Sequence, residues 1–141
     1  MADPAPIADA ASQKTQDPIT TIATPEAFDN LLSSHNYVAI DFHATWCGPC
    51  RIIAPIFAQL ATAHAVAGSI AFAKVDVDEV PELARRYGVT TLPTFTFIRY
   101  GEKFSELKSV RPPQLRSEVE AMVKDFRDNE MIKKALEDQD W

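Results

Sequence analysis

Cys47 and Cys50 are the two cysteines of the 141-residue chain, and they stand three positions apart in Trp46-Cys47-Gly48-Pro49-Cys50. The chemistry open to such a pair is narrow. A disulfide across so short a loop removes little entropy from the unfolded chain, so it is a poor staple. Zinc needs four ligands, yet no second CxxC exists and His43 is the only histidine near enough to help. Thiol–disulfide exchange needs only the two sulfurs: one attacks a foreign disulfide and the other releases the product.

The flanking pattern predicts a favourable position for that chemistry. Tyr37–His43 (YVAIDFH) is β-rich and apolar on both sides, which predicts a central strand. Arg51–Ala65 then carries Ile52, Ile53, Ile56, Phe57 and Leu60 at helical spacing, with Pro55 inside to kink the helix. The cysteines fall at the hand-over. At a helix N-terminus, unpaired N–H groups and the positive end of the dipole favour a Cys47 thiolate. Cys50 faces the same way within the first turn. Gly48 lets a partner backbone approach, and Pro49 is tolerated where no intrahelical N–H is lost.

The remaining elements alternate in period. Ile19–Ala23 predicts a short edge strand, and Thr24-Pro25-Glu26 reads as N-cap, proline and acidic first turn of a helix to about Ser33. Ile70–Val77 is a second central strand, and Glu79–Tyr87 a short helix ended by Gly88. Thr94–Ile98 and Lys103–Leu107 flank Arg99-Tyr100-Gly101-Glu102 as a β-hairpin. Pro112-Pro113 open a helix with Leu115, Val119, Met122, Val123 and Phe126 on one side. The order βαβαβαββα demands a parallel pair with a right-handed crossover. It predicts an α/β fold with a central mixed sheet flanked by helices on both faces.

Further residues point at the cysteines. Asp41 interrupts an otherwise apolar strand, an expensive place for a carboxyl group without a task or a partner. Burial should raise its pKa and make it a proton acceptor for Cys50, directly or through water. Lys74, mid-strand in the next parallel segment, is its countercharge; a buried ion pair with only a structural role is the alternative. Pro93 cannot donate to a sheet ladder, and a plain turn proline is its other reading. Trp46 reads as a partly exposed apolar contact beside the sulfurs, or else as a core aromatic.

With these residues in view, DFHATWCGPCRIIAP (41–55) and AKVDVDEVPELARRYGVTTLPTFTFIRYGE (73–102) resemble the thioredoxin family, over about residues 19–123. The resemblance implies a thioredoxin fold with Cys47 as nucleophile, Cys50 as resolving cysteine, Asp41 as the buried acid and Lys74 beside it. Pro55 matches the helix-kinking proline, and Pro93 the cis-proline next to the disulfide, which would leave the Leu92 backbone free to pair with a substrate strand. Trp46, Gly48, Pro49, Leu92 and Pro93 would then contact the substrate. The implied activity is protein-disulfide reduction contributing to cell redox homeostasis. No bound cofactor is implied: the Cys47–Cys50 disulfide would be recycled with electrons from NADPH through a thioredoxin reductase. The Gly-Pro between the cysteines resembles reducing members, whereas oxidases and isomerases usually carry a histidine there. Those two activities, and a non-catalytic binding or scaffold module on the same fold, are the alternatives. Two positions depart from the family pattern. His43 stands where an aromatic ring is usual, either filling space or acting as a titratable group near the thiols. Ser109, in Lys108-Ser109-Val110-Arg111, takes the place of a glycine that lets partner backbones approach.

Composition narrows the rest. With 46% hydrophobic and 24% charged residues, the length suits one globular domain. A net charge of −6 leaves no basic footprint for nucleic acid or an anionic membrane surface, and no apolar run approaches the ~18–20 residues of a membrane span. Residues 1–18 read as a flexible arm without a secretory core, and their lack of arginine counts against a mitochondrial presequence, so a cytoplasmic protein is expected. Residues 124–141 read as a charged extension, helical or frayed. Its Met131, Ile132, Ala135 and Leu136 stripe is a candidate dimer or partner contact on an otherwise monomeric protein.

Overall fold

In the computed structural model, which describes residues 17–139, the alternating periods become alternating elements. They are β1 (Ile19–Thr21), α1 (Pro25–Ser34), β2 (Tyr37–His43), α2 (Gly48–His64), β3 (Ile70–Asp76), α3 (Pro81–Arg86), β4 (Thr94–Arg99), β5 (Glu102–Lys108) and α4 (Pro112–Glu137). The arm read over residues 1–18 lies outside the described residues except for its last two. The sheet order is β1-β3-β2-β4-β5. Strands β1 and β2 run parallel to β3, while β4 runs antiparallel to both β2 and β5. The sheet is therefore mixed, with β1 at its edge and β2 at its centre. Six of the seven β2 residues are buried, as a strand apolar on both faces must be.

The period of two divides the core into two layers. Tyr37 and Ala39 of β2, with Ile70 and Phe72 of β3 and Phe95 and Phe97 of β4, face Ile53, Phe57 and Leu60 of α2 and Leu115, Val119 and Met122 of α4. The alternate residues Val38, Ile40 and Phe42, with Ala73, Val75 and Ile98, face Phe28 of α1 and Leu83 of α3. Continuing the first set along β2 carries Asp41 and His43 to the face covered by α2.

Local chemistry sets the element ends. Thr24 Oγ1 accepts the Ala27 N–H at 3.1 Å, the expected N-cap. Helix α2 starts at Gly48, as expected for Cys47 at a helix N-terminus and Cys50 in its first turn: Cys47 is the cap and its Sγ accepts the Cys50 N–H at 3.2 Å. The helix continues through Pro55. Ile52 does not belong to the buried stripe: it is 76% exposed, since Ile53, Phe57, Leu60 and Ala61 already define the covered face. Helix α3 is shorter than Glu79–Tyr87, because the Glu79 and Val80 N–H groups both close on the Asp76 carbonyl before Pro81 opens the helix. Tyr100 and Gly101 adopt φ of 50° and 83°, the two left-handed residues of a tight hairpin turn.

Helix α4 passes residue 123 without a break and runs to Glu137. Its continuation is tied to the sheet. The buried Tyr37 hydroxyl donates to Asp125 at 2.7 Å and accepts from Asn129 at 2.7 Å, and Arg99 bonds Asp125 at 2.9 Å. Phe126 packs against the same core. Burial first, and the Asp125 carboxylate second, push the Tyr37 phenol up to about 12. Beyond this contact Met131, Ile132 and Leu136 are exposed.

Candidate active site

Cys47 and Cys50 are joined in a disulfide with their Cα atoms 5.3 Å apart. The strand-to-helix hand-over places them at the C-terminal end of β2 and the N-terminal turn of α2. Both residues are buried. Ala44 and the partly buried Val77 and Leu92 pack against them. When the pair is reduced, the free N–H groups and dipole of the helix start favour a thiolate at Cys47. A Cβ placed on Gly48 would meet nothing within 4 Å, so the fold itself does not require glycine there.

On one side of the disulfide lies a groove of about 450 Å³, lined by Trp46, Cys47, Gly48, Pro49, Val77, Val89, Thr90 and Leu92. Trp46 is 67% exposed and its indole N–H donates to Asp78 Oδ2 at 2.8 Å. That excludes the core-aromatic reading. Leu92–Pro93 is a cis peptide bond. Pro93 itself is buried and is not among the groove-lining residues. Its carbonyl accepts the Ser109 N–H at 3.1 Å, and Ser109 adopts φ 51°, a left-handed conformation that favours glycine. The departure noted at Ser109 thus falls beside Pro93, at a position whose backbone suits the residue it replaces.

On the other side, a cavity of about 270 Å³ brings Asp41, His43, Cys50, Arg51 and Lys74 together. Asp41 is 4% exposed, and its Oδ1 has no hydrogen-bond partner. Burial pushes its carboxyl up to about 7, against the opposing pull of the Lys74 charge. Lys74 is the register partner of Asp41 across the β2–β3 pair. Among the described residues, however, the ion pairs within 4.0 Å do not include Asp41 with Lys74, so the purely structural ion pair lacks its contact. His43 is half-buried, and burial holds its imidazole below the usual range while Asp76 and Glu79 pull it upward.

Val77, Val89, Thr90 and Arg51 join the site without having been singled out from the sequence. A signal did exist for Val77. It directly follows β3, whose parallel partner β2 ends at the cysteines, and crevices in such sheets form at the C-terminal ends of strands. Among the described residues no three His, Cys, Asp or Glu side chains converge as metal ligands, so zinc would lack the further ligands it needs. No helix among them is long and apolar enough to cross a membrane.

Comparison with known proteins agrees with this geometry. The Thioredoxin family model matches residues 19–121. The chain is 42% identical over 103 residues to thioredoxin-2 of Pyricularia oryzae, a match covering 73% of this chain and 58% of that protein. It is 42% identical over 94 residues to the thioredoxin of Neurospora crassa, covering 67% of this chain and 74% of that one. Among solved structures, Plasmodium falciparum thioredoxin superposes with a TM-score of 0.68 at 31% identity, covering 72% of this chain and 97% of its own. Oxidised mitochondrial thioredoxin 3 of Saccharomyces cerevisiae gives 0.66 at 33% identity, with 73% and 94% covered.

Proposed function

The chain belongs to the thioredoxin family of thiol–disulfide oxidoreductases, and from that premise we propose that it reduces protein disulfides through Cys47 and Cys50. The Cys47 thiolate attacks a substrate disulfide, and the first substrate sulfur leaves with the bonding pair and takes a proton. A mixed disulfide remains on Cys47. Asp41 then accepts the Cys50 proton, and the Cys50 sulfur attacks Cys47 Sγ. The second substrate thiol departs, leaving the Cys47–Cys50 disulfide. Two electrons have passed from the dithiol to the substrate.

One observation carries this reading. The disulfide lies between a largely apolar groove and a cavity that holds a buried carboxyl group. Trp46, Gly48, Pro49 and Leu92 are the groove residues that would contact the substrate, with Pro93 behind them. A carboxyl group near 7 exchanges a proton efficiently at neutral pH. In the reducing direction the disulfide is returned to the dithiol by a thioredoxin reductase using NADPH, and the protein works in the cytoplasm as a monomer.

The test couples NADPH oxidation, through a thioredoxin reductase, to reduction of insulin disulfides. Sustained turnover that disappears in Cys47→Ser supports the reading. Full complementation in cells by a variant with both cysteines replaced by serine would establish a scaffold instead. A reduction potential in the range of oxidases or isomerases, near −120 to −180 mV rather than about −270 mV, would reverse the direction assigned.

A further inference from the structure

Ile52 is the large apolar side chain of α2 that stands exposed, at 76%, two residues after the resolving cysteine. At about 100° per residue, Cys50, Ile53, Phe57, Leu60 and Ala61 make one buried face of the helix. One flank of that face carries Arg51 and Ala54 and lines the cavity that holds Asp41. The opposite flank carries Pro49, Ile52 and Ile56, which are neighbours at i,i+3 and i,i+4. Ile56 is partly buried against the core, while Pro49 is exposed and lines the groove beside Cys47. A single exposed aliphatic residue needs no explanation, but Ile52 stands in a row. It prolongs, by one turn of helix, an apolar surface that already holds Trp46, Pro49, Val77, Val89 and Leu92.

The chemistry of the site says what lies over this surface. Cys47 is 5% exposed, and a disulfide holds its two sulfurs about 2 Å apart. A substrate sulfur bonded to Cys47 therefore draws the atoms around it against the groove walls, Pro49 among them. A small disulfide ends there. A polypeptide goes on, and the Cβ of Ile52 is only about 5–6 Å beyond that of Pro49. We propose that Ile52 is a specificity-determining contact for protein substrates, receiving an apolar side chain that flanks the substrate's reactive cysteine. This rests on the reading of the groove as the seat of a protein substrate. The flank of Pro49, Ile52 and Ile56 carries no charge, and the neighbouring Arg51 is turned away, its guanidinium donating to the Thr45 carbonyl at 2.6 Å. The matching partner side chain is accordingly apolar rather than acidic. Because the contact is remote from the sulfurs, it governs how firmly the partner is held and leaves the reactivity of Cys47 unchanged.

The test measures second-order rate constants for the pre-reduced full chain with insulin and, separately, with a small aromatic disulfide. The proteins are wild type, Ile52→Ala, Ile52→Leu and, as a control, Ile132→Ala, which trims an apolar residue 58% exposed on α4. We expect Ile52→Ala to lose about five- to ten-fold with insulin, for three carbons removed from a partly covered contact, and less than about two-fold with the aromatic disulfide. Ile52→Leu should restore the insulin rate to within about two-fold of wild type, and Ile132→Ala should change neither rate by more than that. Urea midpoints of the four proteins should coincide, since both trimmed side chains are exposed. An insulin rate in Ile52→Ala within two-fold of wild type overturns the proposal. Equal losses with both disulfides overturn it as well, because they would place the defect in the dithiol and not in a contact with the partner. A wild type that reduces the aromatic disulfide but leaves insulin intact sinks the protein-disulfide reductase reading itself, and the Ile52 contact with it.

Discussion

Replacing Asp41 with asparagine should make the folded protein more stable at neutral and alkaline pH. The carboxyl is 4% exposed and held at about 7 in the fold against 3.8 ordinarily, with desolvation as the leading cause. An acid whose pKa is raised by folding stabilises the fold fully only below its unfolded value. That contribution is lost as pH climbs from 3.8 to about 7, because the unfolded chain releases the proton first. At about 1.4 kcal/mol per pH unit, the penalty carried by the wild type at pH 8 is on the order of 4 kcal/mol. Asparagine has nearly the same shape and no charge to bury. Urea unfolding of the two oxidised proteins should therefore separate at pH 8 by about 2 M in midpoint, for a slope of about 2 kcal/mol/M, and converge near pH 4. The slope itself should not change. Equal midpoints at pH 8, or a separation that is the same at pH 4 and pH 8, would refute the assignment of a buried, poorly compensated carboxylate. The same substitution should slow the resolving step and let the mixed disulfide accumulate, so the gain in stability is set against lost function.

Other consequences can be measured alongside. Ending the chain at Val123 removes Asp125 and Asn129 from the Tyr37 hydroxyl and strips away Phe126. Calorimetry should show a loss of about 2 kcal/mol, or roughly 10 °C in Tm, whereas a chain ending at Glu130 keeps its Tm within ~2 °C. Ser109→Gly relieves a left-handed serine at φ 51° and should add about 0.5–1 kcal/mol of stability, read from the urea midpoint. Gly48→Ala places a methyl group in open space, so stability should stay within ~0.5 kcal/mol. In that variant kcat/KM for insulin should fall further than the rate with a small aromatic disulfide.

What could be read from the chain follows the range over which each signal acts. β2 was legible because a run apolar on both faces has few other places to go, and Cys47 at a helix start because the strand and helix periods meet there. Asp41 stood out as the one carboxyl group in that run. Ile52 is one of five apolar residues at helical spacing, but Ile53, Phe57, Leu60 and Ala61 fill the covered face and leave it outside. His43 was visible as a departure, but not its cavity, since Cys50, Arg51 and Lys74 arrive from two other elements. The hold of α4 on the sheet was hidden for the same reason. Local periodicity marks residue 124 as the start of a charged stretch, yet Asp125 and Asn129 bond Tyr37 from 88 and 92 positions away. Likewise, nothing local to Trp46 announces that Asp78, 32 residues on, receives its indole N–H and holds the ring at the groove.

The division of labour between the two sulfurs can be tested by trapping the mixed disulfide. Reduced Cys50→Ser protein is mixed with a protein disulfide and its intact mass recorded. The account predicts a covalent adduct that maps to Cys47 and is released by dithiothreitol, with no comparable adduct on Cys47→Ser. An adduct forming as readily on Cys47→Ser, or none forming on Cys50→Ser, would contradict Cys47 as the attacking thiol.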